Sequence, residues 1–312
     1  RNMFFLRKKG LVVFLGGDSL LLLSLSPFPP SHLYWRHVHN VHRGHRAHTD
    51  TRAPLLRLLR HLPVERRRNE VHLSGIDLPR PRPEAGERAV VGYIDTRSGD
   101  WTSLSTTLAW NLQQGTMLHW LPTRPDTHIV HNDLDGVRLV SRLINVDKGE
   151  TERTYDRPIA AMSHKGDTAC NLNYARMFRR RRVVGYAGAD DPTEGVLHPE
   201  DDGLFVMDLK SGESRLIVSM AAIISEFEHP EEMGRRPIWF NHVGFSPDDS
   251  RIFFLARYTE GGTSGPLNSA MFTVAQDGSD LRKVVDYGQR MSHFEWKNNT
   301  EIVVTIERES LG

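Results

Sequence analysis

Two short turn motifs alternate along this 312-residue chain and predict an all-β fold, a β-propeller of four-stranded blades. The first motif is a hydrophobic pair or triplet, a polar residue, a Gly-centred turn, and a polar residue that opens the next run. It reads Tyr93-Ile-Asp-Thr-Arg-Ser-Gly-Asp100, Ile144-Asn-Val-Asp-Lys-Gly-Glu150, Val206-Met-Asp-Leu-Lys-Ser-Gly-Glu213 and Val274-Ala-Gln-Asp-Gly-Ser-Asp280. Each is a strand, a tight turn that uses Gly for positive φ, and a return strand.

The second motif is an aromatic or apolar residue, a turn built from Ser or Pro with Asp, Asn or Gly, and a β-rich run. It reads His119-Trp-Leu-Pro-Thr-Arg-Pro-Asp-Thr-His-Ile-Val130, Met162-Ser-His-Lys-Gly-Asp-Thr-Ala169, Gly244-Phe-Ser-Pro-Asp-Asp-Ser-Arg-Ile-Phe253 and Phe294-Glu-Trp-Lys-Asn-Asn-Thr-Glu-Ile-Val303. Proline presets φ there, and Asp or Asn caps the turn. One motif of each kind makes four strands in roughly 40–50 residues, the size of a propeller blade. A β-sandwich also has frequent turns, but it gives no reason for two motifs to alternate strictly. The expected ring has five to seven blades, a count that leaves room for an incomplete ring. Copies of the second motif start at 119, 162, 244 and 294, and the long middle interval could hold a degenerate blade.

Composition suits a globular chain with a large core, at 38% hydrophobic residues. A net charge of +1 offers no global attraction to nucleic acid or an anionic membrane. The single cysteine, Cys170, excludes an intrachain disulfide.

Three segments are expected: 1–30, 31–88 and the propeller over 89–312. Arg7-Lys-Lys9 ahead of an apolar run resembles the start of a secretory signal. The Gly16-Gly-Asp18 interruption equally fits a β-hairpin of Leu11–Leu15 with Leu20–Leu25, which is also the best candidate to close the ring; Asp18 argues against a membrane span. Residues 31–88 are rich in His, Arg, Pro and Leu, with His32, His37, His39, His42, His45 and His48 among them. Interleaved arginines disfavour metal binding, and the absence of hydrophobic periodicity predicts a poorly ordered region.

Candidate chemistry sits where first strands begin. His242, before Val-Gly-Phe-Ser-Pro, and His293, before Phe-Glu-Trp, hold matching places in two blades. First strands line a propeller channel, so the pair could converge on a metal or a polar substrate. Each could equally bond a neighbouring loop carbonyl. The Phe-Ser-Pro-Asp-Asp-Ser-Arg-Ile-Phe copy resembles the blade motif of TolB-like propellers. Asn241-His-Val-Gly-Phe-Ser-Pro-Asp-Asp249, followed by Met291-Ser-His-Phe-Glu-Trp296, resembles the oligogalacturonate lyase propellers over residues 89–306, with the ulvan lyase propellers as a related comparison. Two departures stand out: a single His at 293 where the family has a pair, and Gly244 in place of a polar residue.

The resemblance implies cleavage of uronate-containing oligosaccharides by β-elimination, with a divalent metal (Mn, Zn or Ca) held by His242 and His293. It also implies an acidic oligosaccharide or polysaccharide as partner and a secreted or periplasmic location. Such a reaction needs a neutralised carboxylate, a base and an acid. Catalytic candidates are His131, Tyr174, Arg176 and Arg257, with Asn173 to Arg176 read as an inner strand. Substrate-binding candidates are Gln113, Gln114, His119 and Asn132. The run Arg179 to Arg182 is read as a solvated loop that could also meet a polyanion. The alternative function is a non-catalytic TolB-like binding or scaffold module.

Overall fold

The computed structural model describes residues 9–15, 19–22, 83–95, 98–260, 263, 265–288 and 290–307. Most of 31–88 lies outside them. The described strands form four four-stranded antiparallel sheets and one two-stranded sheet, the blades of a β-propeller. Blade 1 combines β1 (Lys9–Leu15), β2 (Ser19–Leu22), β3 (Ala89–Asp95) and β4 (Trp101–Thr107) in the order β2-β1-β3-β4.

Blades 2 to 4 are simple meanders. Blade 2 is β5 (His119–Trp120), β6 (His128–Asp135), β7 (Arg138–Asn145) and β8 (Glu150–Tyr155). Blade 3 is β9 (Ala161–Met162), β10 (Thr168–Asn171), β11 (Gly203–Asp208) and β12 (Ser214–Ser219). Blade 4 is β13 (Trp239–Phe245), β14 (Arg251–Thr259), β15 (Leu267–Ala275) and β16 (Arg282–Val285). Blade 5 shows β17 (Arg290–Trp296) paired with β18 (Ile302–Glu307).

Both motifs fall on fixed joints of this plan. The Asp/Gly motif joins the third and fourth strands of blades 1 to 4, and the Ser/Pro motif joins the first and second strands of blades 2 to 5. Local chemistry explains the repetition. Gly99, Gly149, Gly212 and Gly278 all take positive φ, between 69° and 93°. Side chains of Asp95, Asn145, Asp208 and Asp277 accept hydrogen bonds from turn amides two or three residues ahead.

The structure corrects three expectations. The interval from 162 to 244 holds no extra blade. It carries helix α1 (Tyr174–Arg180), 3-10 turns at Arg182–Val184 and Ala222–Glu226, and helix α2 (Pro230–Met233) around β11 and β12. Asn173 to Arg176 is no inner strand, because the Asn173 side chain accepts the Arg176 amide at 2.9 Å and caps α1. The N-terminal hairpin adds to β3 through β1, and so extends blade 1 without closing blade 5.

Blades meet through apolar faces. Phe240, Phe254 and Phe272 stack across blade 4, with ring centroids 4.7 and 5.5 Å apart, inside the largest core cluster. Smaller clusters centre on Ile129 and Ile144 and on Val130, Leu143 and Met207. Outer strands also clasp the next blade's turn. Arg153 of β8 donates to the carbonyls of Lys210 and Ser211, and Arg215 of β12 donates to those of Asp277 and Gln276.

Candidate functional site

Three residues other than glycine share an unusual backbone at equivalent places. Met117 (φ 49°), His242 (φ 46°) and His293 (φ 49°) each lie three residues before the end of their blade's first strand, at Trp120, Phe245 and Trp296. In β13 and β17 these histidines sit at register shifts, where one extra residue bulges from the ladder. Left-handed backbone costs an L-residue of order 1–3 kcal/mol and collects at functional positions. The two histidines singled out by repeat position are therefore equivalent in backbone conformation. In blade 3 the corresponding residue is Ile159, whose backbone is bracketed by the Asn132 side chain at 2.6 and 2.8 Å.

His242 is half-buried and reaches two other blades. Its Nδ1 lies 3.4 Å from Nε2 of Gln114, which stands in the turn before blade 2, and its ring meets Phe294 of blade 5 at 5.3 Å. That turn is fixed by Asn111, which accepts the amides of Gln113 and Gln114 and donates to the Val184 carbonyl. Burial, reinforced by the Arg257 charge, holds the His242 imidazole well below its ordinary range, so the ring is neutral near pH 7.

Arg257 is the main electrostatic feature. It is 6% exposed, faces Trp239 across the β13–β14 ladder, and lies 5.9 Å from that indole ring. Its Nε donates to Ser269 Oγ at 3.0 Å, and no carboxylate pairs with it among the described residues. Burial, then the nearby Arg181, lowers its pKa to about 9. A second observation concerns the neighbours. Trp239 Nε1, Asn241 Nδ2, Tyr287 Oη and Gln114 Oε1 are buried polar atoms with no hydrogen-bond partner among the described residues. Trp239 and Asn241 alternate on the face of β13 that carries Arg257 opposite. Buried polar groups are normally satisfied, so unsatisfied donors on the strand face that carries Arg257, which has no carboxylate partner among the described residues, make this face the candidate ligand site.

Of the expected residues, the structure brings together Gln114, His242 and Arg257, with His293 on the matching bulge of the adjacent blade. The rest are engaged elsewhere. His131 is fully buried in blade 2, bonded to the Asn132 carbonyl and under the charges of Asp133 and Arg142. Tyr174 is buried and stacked on Tyr186 at 4.3 Å. Arg176 spends its guanidinium on the carbonyls of Ile238, Thr193, Val196 and Leu197, which ties the α1 insertion to β13. Asn132 braces Ile159 and the Tyr186 hydroxyl. His119 is held by burial to a pKa of about 4, and Gln113 points outward from the turn.

The arginine run is less solvated than expected. Arg179 pairs with Asp191 and Glu194, while Arg181 donates to the Gly265 carbonyl and lies near Arg257. Trp239 and Tyr287, also near Arg257, carry no motif of their own; Asn241 is signalled only by adjacency to His242, and Arg181 only as part of the run Arg179 to Arg182.

A divalent cation does not fit the residues around His242. The Arg257 guanidinium repels it, Nδ1 already faces the Gln114 amide, and the orphaned Trp239 and Asn241 atoms are donors. Among the described residues no three or more His, Cys, Asp or Glu side chains converge on one point.

No family model matches the chain, and no curated protein matches it either. Solved structures with a similar course of strands include TolB from Acinetobacter baumannii, at 11% identity and TM-score 0.41 over 74% of this chain and 45% of that one. They also include an oligogalacturonate lyase from Vibrio parahaemolyticus, at 10% identity and TM-score 0.43 over 72% of this chain and 56% of that one. The tricorn protease matches at 9% identity and TM-score 0.36, over 70% of this chain and 23% of that one. The chain thus spans about half the length of the first two.

Proposed function

We propose that this TolB-like propeller binds uronate-containing oligosaccharides at the bulge end of blades 4 and 5 and cleaves them by β-elimination, as an oligogalacturonate lyase-like enzyme. The observation that carries this reading is Arg257, a buried cation near His242 with no carboxylate partner among the described residues, on the blade whose bulge is repeated at His293. In β-elimination the C5 proton leaves to a base, the C5 electron pair forms the C4–C5 double bond, and the C4–O bond breaks with its electron pair on the oxygen, which takes a proton from water. Charge builds on the C6 carboxylate in the transition state, so a fixed guanidinium against that carboxylate lowers the barrier. We assign this role to Arg257 and proton abstraction to His293.

The second reading is a non-catalytic binding module. It is favoured by the engagement of His131, Tyr174 and Arg176 in packing and carbonyl binding, which removes three expected reactive groups. Incubation with oligogalacturonate and with ulvan fragments separates the two. Growth of the ultraviolet absorbance of an unsaturated uronate end supports the lyase; binding without that product supports the module. His293→Ala is expected to cut turnover by about 100-fold with binding retained, and unchanged turnover would remove His293 from the reaction.

A further inference from the structure

We infer that Arg257, Trp239, Asn241 and His242 form a donor cluster that takes one oxyanion of a hydroxylated acid directly, with no bridging cation, and that Gln114 positions His242 for this. The inference rests on the proposed substrate class but not on turnover.

The donor inventory carries it. Trp239 Nε1 is a donor only, the Asn241 Nδ2 amine is a donor only, and a guanidinium has no acceptor. Trp239 is 0% exposed and Asn241 1%, so neither reaches bulk water, and both atoms lack a protein partner. Asn241 Oδ1 is already occupied by the His242 amide at 2.7 Å, which orients its Nδ2. A Gln114 Nε2 donor at His242 Nδ1 would leave the neutral ring's proton on Nε2, which makes that atom a further donor. A metal ligand would need a lone pair at that atom. Gln114 Oε1, an orphaned acceptor, and Tyr287 Oη, which can accept as well as donate, suit hydroxyls of the same ligand. Donors surrounding a buried cation match carboxylate or sulfate oxygens, which accept several charge-assisted hydrogen bonds at once.

Gln114 is thus a positioning residue. Its amide sets the tautomer of an imidazole 128 residues away in sequence.

The test is a titration of the full chain with galacturonate, inorganic sulfate and galactose, in the presence of a chelator. Galacturonate is expected to bind and galactose to fail. Sulfate binding comparable to galacturonate would assign the cluster to sulfate esters as well as carboxylates, and weaker sulfate binding to carboxylates. Arg257→Met and Asn241→Asp should each weaken galacturonate binding by about tenfold or more, with Arg257→Lys retaining part of it as a folded control. Long-range ¹H–¹⁵N spectra should show His242 protonated at Nε2. Gln114→Glu, which can only accept, should move the proton to Nδ1 and weaken galacturonate binding several-fold. Loss of binding in chelator with recovery on adding Mn²⁺, or an Nδ1–H tautomer in the unaltered protein, would overturn the inference. Chelator-resistant binding without any unsaturated product would leave the donor cluster standing and sink the lyase.

Discussion

The hairpin end and the bulge end of the same blades solve opposite problems. At the hairpins polar groups are satisfied by protein partners, both within the turn and across blades. Asp249 is the fullest example, since its carboxylate accepts the His164 amide at 2.7 Å, the Lys165 amide at 3.0 Å and His164 Nδ1 at 2.8 Å, tying blade 4 to blade 3. Left-handed residues occur at both ends, Asp249 and Asp280 at the hairpins and His242 and His293 at the bulges, but at the bulges a guanidinium is buried with no carboxylate, and donors stand with no acceptor, among the described residues. One end holds the ring together; the other, on the proposed reading, presents donors to a ligand.

Substitutions should separate the two ends. Asp249→Ala removes three acceptor contacts and orphans two turn amides. It should cost about 3 kcal/mol, measured by denaturant unfolding, with galacturonate binding preserved in the folded fraction. A loss below about 0.5 kcal/mol would show that the clasp is decorative.

Glu295, on β17, gives a pH test. Burial raises its pKa from 4.5 to about 7, so the folded state keeps a proton that the unfolded chain has released. Its contribution is therefore present below about pH 4.5 and lost as pH climbs through 7. Glu295→Gln should raise stability by about 2 kcal/mol at pH 8 and leave it nearly unchanged at pH 4. Equal effects at both pH values would contradict the assignment.

The bulges predict the smallest and most telling effects. Met117→Gly and His242→Gly both relieve left-handed backbone and should each stabilise the chain by about 1 kcal/mol, less whatever side-chain packing is lost. Only His242→Gly should also abolish galacturonate binding. Loss of binding in both would mean that the bulge backbone, and not the imidazole, makes the site.

What the sequence disclosed follows the range of the forces involved. The hairpins were legible because Gly at positive φ and an Asp or Asn cap act within four residues. The pairing of His242 with His293 was legible because repeat position translates into backbone position. Met117 escaped notice because the shared property is a bulge, which leaves no fixed residue type. Helix α1 was read as strand because its seven residues are too few for a clear apolar period and its start depends on one Asn173 cap. The donor cluster could not be read at all. It depends on the β13–β14 register that sets Arg257 opposite Trp239 and places Asn241 two residues further along the same face.

The most direct measurement compares two arginines, one from each end. Calorimetric titration of galacturonate and thermal unfolding should be run side by side on Arg257→Met and Arg215→Met. Arg257→Met should lose galacturonate binding while keeping or raising its melting temperature, because it removes an unpaired buried charge. Arg215→Met should lower the melting temperature by a few degrees while binding persists, because it releases the clasp on the Gln276 and Asp277 carbonyls. Equal loss of binding in both variants, or undiminished binding in Arg257→Met, would contradict a ligand site at the bulge end.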